Sequence, residues 1–186
     1  PASIIRKILW VSMVLKNIMI KNMDISHFGY GIRARGAAES TFMDNNIAQV
    51  SRFGLAIVEN SNDNIVSWNL IESSAIGMQI GGSYRYSVSN NIIRFASSSG
   101  ILFQYSNDNV IGSNIMENNY YGINLGSSSN NQIQSNMISY SGWKAIFVGS
   151  GSKNNIISGN SGSGNVGAIS PEIPENGNQY INNNFV

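Results

Sequence analysis

Apolar residues in this chain come in pairs and short runs, and they return on a fixed period. From Asn109 the runs read Val110 with Ile111, then Ile115 with Met116, then Ile123 and Leu125 around Asn124. Ser, Asn and Gly separate them, and no run is long enough for a helix. β-branched Ile and Val dominate, so each run predicts a short strand and each separator a turn. A period of the chain therefore reads as three short strands and three turns.

Two landmarks hold the period. The first is a small residue before an aliphatic one: Gly31, Gly54, Gly77, Gly100, Gly122, Ala145 and Ala168 precede Ile32, Leu55, Met78, Ile101, Ile123, Ile146 and Ile169, at steps of 22 or 23 residues. The second is an Asn column, read as Asn22, Asn46, Asn69, Asn91, Asn114, Asn136, Asn160 and Asn184, at steps of 22 to 24. Repetition at 20–50 residues marks solenoids and other arrays. Leucine-rich repeats share the length and carry an Asn, but they need many Leu, and this chain is rich in Ile and poor in Leu. The six-residue rhythm of left-handed hexapeptide helices is absent.

The remaining fold is all-β: a parallel β-helix of about seven or eight coils of 22–24 residues, with three short strands per coil. Stacked coils lie ~4.8 Å apart, so an Asn at the same corner of each coil can hydrogen-bond to its copies above and below. Asn also tolerates a left-handed corner, and the Gly/Ala column reads as a second tight corner. The aliphatic residues after that column form an interior stack. A slip of one residue would turn the stack outward, which specifies the register. The methionines are expected mostly at interior positions.

The run Gly122, Ile123, Asn124, Leu125 through Asn131, Ile133, Asn136, Met137 and Ile138 resembles the pectin-lyase-like superfamily. It is most similar to the Asn-rich repeats of the family that includes periplasmic copper-maturation proteins, mannuronan epimerases and polysaccharide lyases. The resemblance covers nearly the whole chain and implies a right-handed β-helix. It implies an extracellular or periplasmic protein that engages polysaccharide. These repeats are architectural, so the resemblance speaks to fold more than to activity.

Composition narrows the partners. The 186 residues suit one domain, read as 1–186 without a linker. Charged residues are 11% of the chain and the net charge is +1, which leaves no basic stripe for nucleic acid. No apolar run is long enough to insert in a membrane. There is no Cys and a single His, few ligands for a transition metal, so no metal and no cofactor is expected. Residues 1–16 are expected to form a cap or an irregular first coil, and the absence of an initiator Met suggests an excised chain. Residues 162–178, with Pro171 and Pro174, read as a longer loop. The chain stops just after Asn184, which leaves a sheet edge that missing chain, a homo-oligomer or another neighbouring chain is expected to cover.

Candidate chemistry sits on the strand after the Gly corner, where the resemblance places a saccharide groove. Its outward floor is expected to be Arg33, Ala56, Gln79, Leu102, Asn124 and Phe147, then Arg35, Val58, Gly81, Gln104, Gly126 and Gly149. The preceding loop would form a wall of His27, Phe28, Tyr30, Arg52, Phe53, Tyr120, Tyr121, Trp143 and Lys144. The floor has no Asp or Glu, whereas inverting hydrolysis needs two carboxylates flanking the bond. Lyase or epimerase chemistry on a uronate instead needs a cation at the carboxylate and a base at the adjacent proton. His27, Tyr30, Arg33, Arg35 and Arg52 supply those types on two neighbouring coils. The mannuronan epimerases' Asp-Pro-His-type motif is missing. A turn histidine beside solvated arginines is the plainer reading and outweighs the catalytic one.

Tyr120, Tyr121, Trp143 and Lys144, with Gln79 and Asn124, are the candidate substrate-binding residues, because flat rings stack on sugar faces. Packing under the loop explains the rings equally well. A further column, read as Ile25, Gln49, Glu72, Arg94, Glu117 and Ser139, is better taken as a structural ion ladder than as a catalytic pair. The function expected is therefore engagement of an acidic polysaccharide, by a lyase or epimerase if by an enzyme. The alternative is a structural or adhesive solenoid of the tailspike kind.

Overall fold

The computed structural model describes residues 10–12, 16–171 and 174–186. Strands fill the chain, and there is no helix among the described residues. One coil consists of Val110–Gly112, Ile115–Glu117 and Tyr121–Gly126. Each strand pairs in parallel with its counterpart one coil away, so the three strands of a coil lie on three faces of a parallel β-solenoid of about seven turns. In two coils the second and third strands run together, as Leu70–Gly81 and Ile92–Gln104.

The aliphatic stack forms as the period requires. Ile32, Leu55, Met78, Ile101, Ile123, Ile146 and Ile169 are paired in register on successive coils and all are buried. Of the methionines, Met78 and Met116 are interior, whereas Met19, Met23 and Met137 are exposed and Met43 lies on an outward column. Residues 162–178 are less irregular than expected: Gly167–Ser170 continues the third-strand face beside Lys144–Val148. The cap expected over residues 1–16 falls mostly outside the described residues, but Trp10–Ser12 pairs in register with Arg33, Ala34 and Arg35.

The Asn ladder is real, with a shifted membership at both ends. It runs Asn45, Asn69, Asn91, Asn114, Asn136, Asn160, Asn183, each Nδ2 donating to the next Oδ1 at 2.9–3.0 Å. Asn46 and Asn184 stand one residue later, exposed, at the start of second strands. Asn22 belongs to a different column. It has a φ of 56°, like Asp44, Trp68, Asn90, Ser113 and Ser135, the residues that directly precede the ladder. Two columns that both favour Asn, one for its amide and one for its tolerance of a left-handed backbone, lie side by side.

Two further ladders stabilise the corner between the third strand and the next first strand. Asn109, Asn131, Asn155 and Asn178 repeat the amide contacts. Ser83, Ser106, Ser128 and Ser152 link by backbone N–H to hydroxyl. Tyr86 takes one Asn position. Its hydroxyl donates to Ser61 O at 2.5 Å and accepts from Asn64 Nδ2 at 3.0 Å. Burial pushes its titration well above the ordinary tyrosine value, and hydrogen bonds from its neighbours offset this only in part. A raised folded value means stability that is full below about pH 10 and is lost as pH rises beyond it. The melting temperature is expected to fall above about pH 10 in the native chain and to fall less steeply in Tyr86→Phe. Parallel curves for the two proteins would refute this.

The Gly column is no corner. Gly31, Gly54, Gly77, Gly100 and Gly122 lie within strands and none has a left-handed φ. They are needed because the next coil comes close: a Cβ on Gly54 would lie 2.3 Å from Ile71 Cγ2 and 2.6 Å from Gly77 O. After Ala145 the following coil carries Gly162, where the coils after Gly31, Gly54, Gly77 and Gly122 carry Ile47, Ile71, Ile93 and Ile138.

Candidate functional site

The third-strand face presents three outward columns, two on alternate residues, which face the same way, and one three residues before the central column. The central one is Arg33, Ala56, Gln79, Leu102, Asn124 and Phe147, in register on successive coils. Beside it runs Tyr30, Phe53, Ile76, Ser99, Tyr121 and Lys144, so Tyr30, Phe53, Tyr121 and Lys144 belong to the floor rather than the wall. The third column is Arg35, Val58, Gly81, Gln104 and Gly126. Arg52, Tyr120 and Trp143 immediately precede the strand residues and form the rim. Phe28, expected on the wall, packs half-buried against the core.

At the N-terminal end of this face cations and rings converge. Tyr30 and Phe53 stack at 5.4 Å with 14° between their planes. The guanidinium of Arg33 lies 5.3 Å from the Tyr30 ring centre and that of Arg52 5.8 Å, within cation–π range. Arg52 also donates through Nη1 to Tyr30 Oη at 3.3 Å. Two positive groups thus share one aromatic platform. The other two members of the expected constellation are engaged elsewhere. Arg35 forms an ion pair with Glu59. His27 sits exposed at a left-handed corner, φ 63°, with Nδ1 2.9 Å from Ser26 Oγ.

About four to five coils away the face turns aromatic. Tyr120 and Tyr121 meet edge-on at 5.0 Å, and Tyr121 lies 5.5 Å from Phe147. Lys144 Nζ lies 5.8 Å from the Trp143 ring. Gly167 leaves room for that lysine: a Cβ there would be 2.4 Å from Nζ. Tyr120 and Trp143 remain exposed, so flat ring surface is available at the rim. The neutral amide of Gln79 lies between the two ends, and that of Asn124 beside Tyr121 on the same strand. Ile76 and Ser99 complete the column that begins at Tyr30 at the same steps of 22 and 23 residues, one position before the Gly column, although neither residue type marks them as floor.

The acidic column lies on another face. Its members are Ser26, Ala48, Glu72, Arg94, Glu117 and Ser139; Ile25 is buried and Gln49 occupies the turn. Arg94 donates through Nε to Glu72, which accounts for that pair structurally. A third charged group lies on the corner after the third strand. There Arg85 grips Asp63 through Nε and Nη2 at 2.6 and 2.7 Å, and these hydrogen bonds hold the carboxyl below the usual range.

No curated protein matches the chain by sequence. Solved structures do match in shape. The periplasmic alginate epimerase AlgG superposes with a TM-score of 0.73 at 16% identity, over 87% of this chain and 42% of its own. The A-module of the mannuronan C-5 epimerase AlgE6 of Azotobacter vinelandii gives 0.67 at 16%, over 92% and 58%. The DFA-IIIase of Arthrobacter chlorophenolicus A6 gives 0.67 at 12%, over 91% and 49%. Identities this low carry the fold alone, and the chain spans about half the length of these proteins. All three are pectin-lyase-like β-helices. A family model described as periplasmic copper-binding protein (NosD) matches residues 11–186. The chain belongs to this NosD family of right-handed β-helix proteins.

Proposed function

We propose that this solenoid engages an acidic polysaccharide along its third-strand face. The observation that carries the reading is the platform at Tyr30, where Arg33 and Arg52 flank a ring stacked on Phe53. Guanidinium groups pair with carboxylates through charge-assisted hydrogen bonds, and exposed rings cover sugar faces. Tyr120 and Trp143 offer such rings farther along, with Tyr121, Asn124 and Lys144 on the floor of the same coils and Gln79 between the two ends. A glycan lying along the coils would meet the cationic end first and the aromatic end ~20 Å later. The names of AlgG and AlgE6 support a uronate-containing polymer, and the family description supports a place in the periplasm or outside the cell.

If the face catalyses, proton abstraction next to a uronate carboxylate fits it better than hydrolysis. Arg33 and Arg52 would hold the carboxylate, and Tyr30 Oη, already bonded to Arg52, is the proton-exchanging group nearest that charge. The floor offers no carboxylate pair. A second reading, a non-catalytic binding solenoid, is favoured by the placement of His27 against Ser26 and of Arg35 against Glu59.

Copper, named in the family description, does not fit the described residues. Copper sites want imidazole, thiolate or clustered thioether ligands. The chain has one His and no Cys. No three His, Cys, Asp or Glu side chains converge among the described residues, Met78 and Met116 are sealed in the core, and no three exposed methionines share a column. No step of the proposed activity therefore runs through a metal.

Affinity electrophoresis in gels of polymannuronate, polygalacturonate and a neutral glucan tests the reading. Retardation is expected in the acidic gels and is expected to weaken with salt. Arg33→Ala and Arg52→Ala are each expected to lower affinity about tenfold, the loss of one charge-assisted bond. Absence of retardation in every acidic gel would overturn the proposal. Formation of unsaturated uronate or a changed uronate ratio would separate catalysis from binding.

A further inference from the structure

We infer that the second-strand face is the interface of a two-fold dimer of this chain. That face carries two outward columns. One is apolar over its four central coils, Leu70, Ile92, Ile115 and Met137, with Ile92 37% and Met137 51% exposed, and polar at both ends, at Asp24, Asn46, Ser161 and Asn184. Beside it run Glu72, Arg94, Glu117 and Ser139. Arg94 is tied to Glu72, while no ion pair involves Glu117 among the described residues. The turns that border the face hold Trp68, Phe95 and Tyr140, each more than half exposed at 60%, 52% and 58%. All three have a left-handed φ, of 59°, 60° and 57°. The nearby members of their columns are Asn, Asp, Ser and Gln, which suit such a backbone better than a large ring does. Local folding chemistry does not ask for aromatics there.

One symmetry operation pairs these features. A two-fold axis parallel to the strands, passing between the coils of Ile92 and Ile115, preserves position along the strand and reverses the order of the coils. It sets Ile92 on Ile115 of the second copy, Leu70 on Met137, and Arg94 on the otherwise unpaired Glu117. It also sets Trp68 opposite Ser135, Phe95 opposite Asn118 and Tyr140 opposite Ser73, so every protruding ring meets a smaller polar side chain. This is the self-complementarity that an isologous contact needs. Moving the axis by half a coil would place Arg94 on Arg94, and moving it a full coil would set Arg94 on Glu72 but Ile115 on Asn46, so charge and apolar contact together select the register. The face extends over about eight coils, ~34 Å, and about five residues of strand and turn, ~17 Å. That is at most roughly 600 Å² per copy, about half of it on the four coils that carry the apolar column, at the lower end of what specific interfaces bury, so the dimer is expected to dissociate in the micromolar range or above.

Sedimentation velocity of the full chain across roughly 1 to 200 μM brackets that range. The expected result is a monomer–dimer equilibrium with no larger species. Arg94→Glu and Glu117→Arg are each expected to weaken it about tenfold or more, because each sets like charges together. The double exchange restores the trans pairs and is expected to recover affinity to within about threefold. Met137→Lys, at an exposed position that folding does not need, is also expected to abolish association, while Ile65→Lys on the first-strand face leaves it unchanged. Circular dichroism confirms that each variant is folded. A monomer at every concentration, open-ended assembly, or a dimer indifferent to both charge reversals and to Met137→Lys would overturn the inference.

Discussion

Asn114→Ala is expected to destabilise the solenoid by about 3 kcal/mol, while Asn46→Ala, at the position one residue out of register, is expected to cost less than about 0.5 kcal/mol. Asn114 Oδ1 accepts from the Asn91 backbone N–H at 3.0 Å and from Asn91 Nδ2 at 2.9 Å. Its Nδ2 donates to Val88 O, Gly112 O and Asn136 Oδ1 at 3.0, 3.1 and 3.0 Å. Truncation leaves the buried Asn91 N–H without its acceptor and thins the satisfaction of three oxygens around it. A buried group left unmade costs ~1–3 kcal/mol, and Asn91 and Asn114 are both fully buried. Asn46 is exposed, and among the described residues its amide donates to Asp24 Oδ1, also exposed, at 3.0 Å. Urea unfolding of both variants measures the difference. Equal losses would mean that the ladder is not where the contacts place it.

Gly77→Ala is expected to be at least as damaging, by about 3 kcal/mol or to the point that the chain fails to fold. A Cβ there would lie 2.3 Å from Ile93 Cγ2 and 2.6 Å from Gly100 O. Ile93 is fully buried and cannot rotate away, and the carbonyl is held in the parallel ladder. Gly126→Ala is the control. There the Cβ would meet Gln104 Cγ at 3.5 Å and Phe103 O at 3.6 Å, ordinary contacts, and a change within about 0.5 kcal/mol is expected. Thermal melts of the two variants decide it, and a stable Gly77→Ala would show that the coils are more loosely packed than these distances state. Both predictions share a cause. In a solenoid each coil is seated on the next, so one misfit at a repeated position disturbs two interfaces.

Much of the fold was legible from residue spacing. The interior stack from Ile32 to Ile169 and the outward floor from Arg33 to Phe147 lie where the period put them, because a strand alternates faces and a slip by one residue would bury polar side chains. The ends of the Asn column were not legible. Asn22, Asn45, Asn46, Asn183 and Asn184 are alike in type, and only hydrogen bonds to neighbouring coils distinguish a ladder amide from a left-handed corner or an exposed strand start. The second ladder carried a visible signal, Ser three residues before Asn at Ser61, Ser106, Ser128 and Ser152, that the first period masked.

The candidate site divides the same way. Spacing alone brought Tyr30, Arg33 and Arg52 to neighbouring coils, and the structure seats both guanidiniums on one ring. It also draws Arg35 to Glu59 and His27 to Ser26, pairings that depend on side-chain reach across corners and that no period encodes.

The sequence by itself determined that this chain is a stacked all-β solenoid, since burial on one side of each short strand dictates period, register and face. Only the tertiary structure decided which asparagines bond, why the glycines are glycines, and which charges pair with one another across corners. Those depend on contacts between coils 22–24 residues apart, where distances of a few tenths of an ångström, invisible in residue type, separate a hydrogen bond or a clash from empty space.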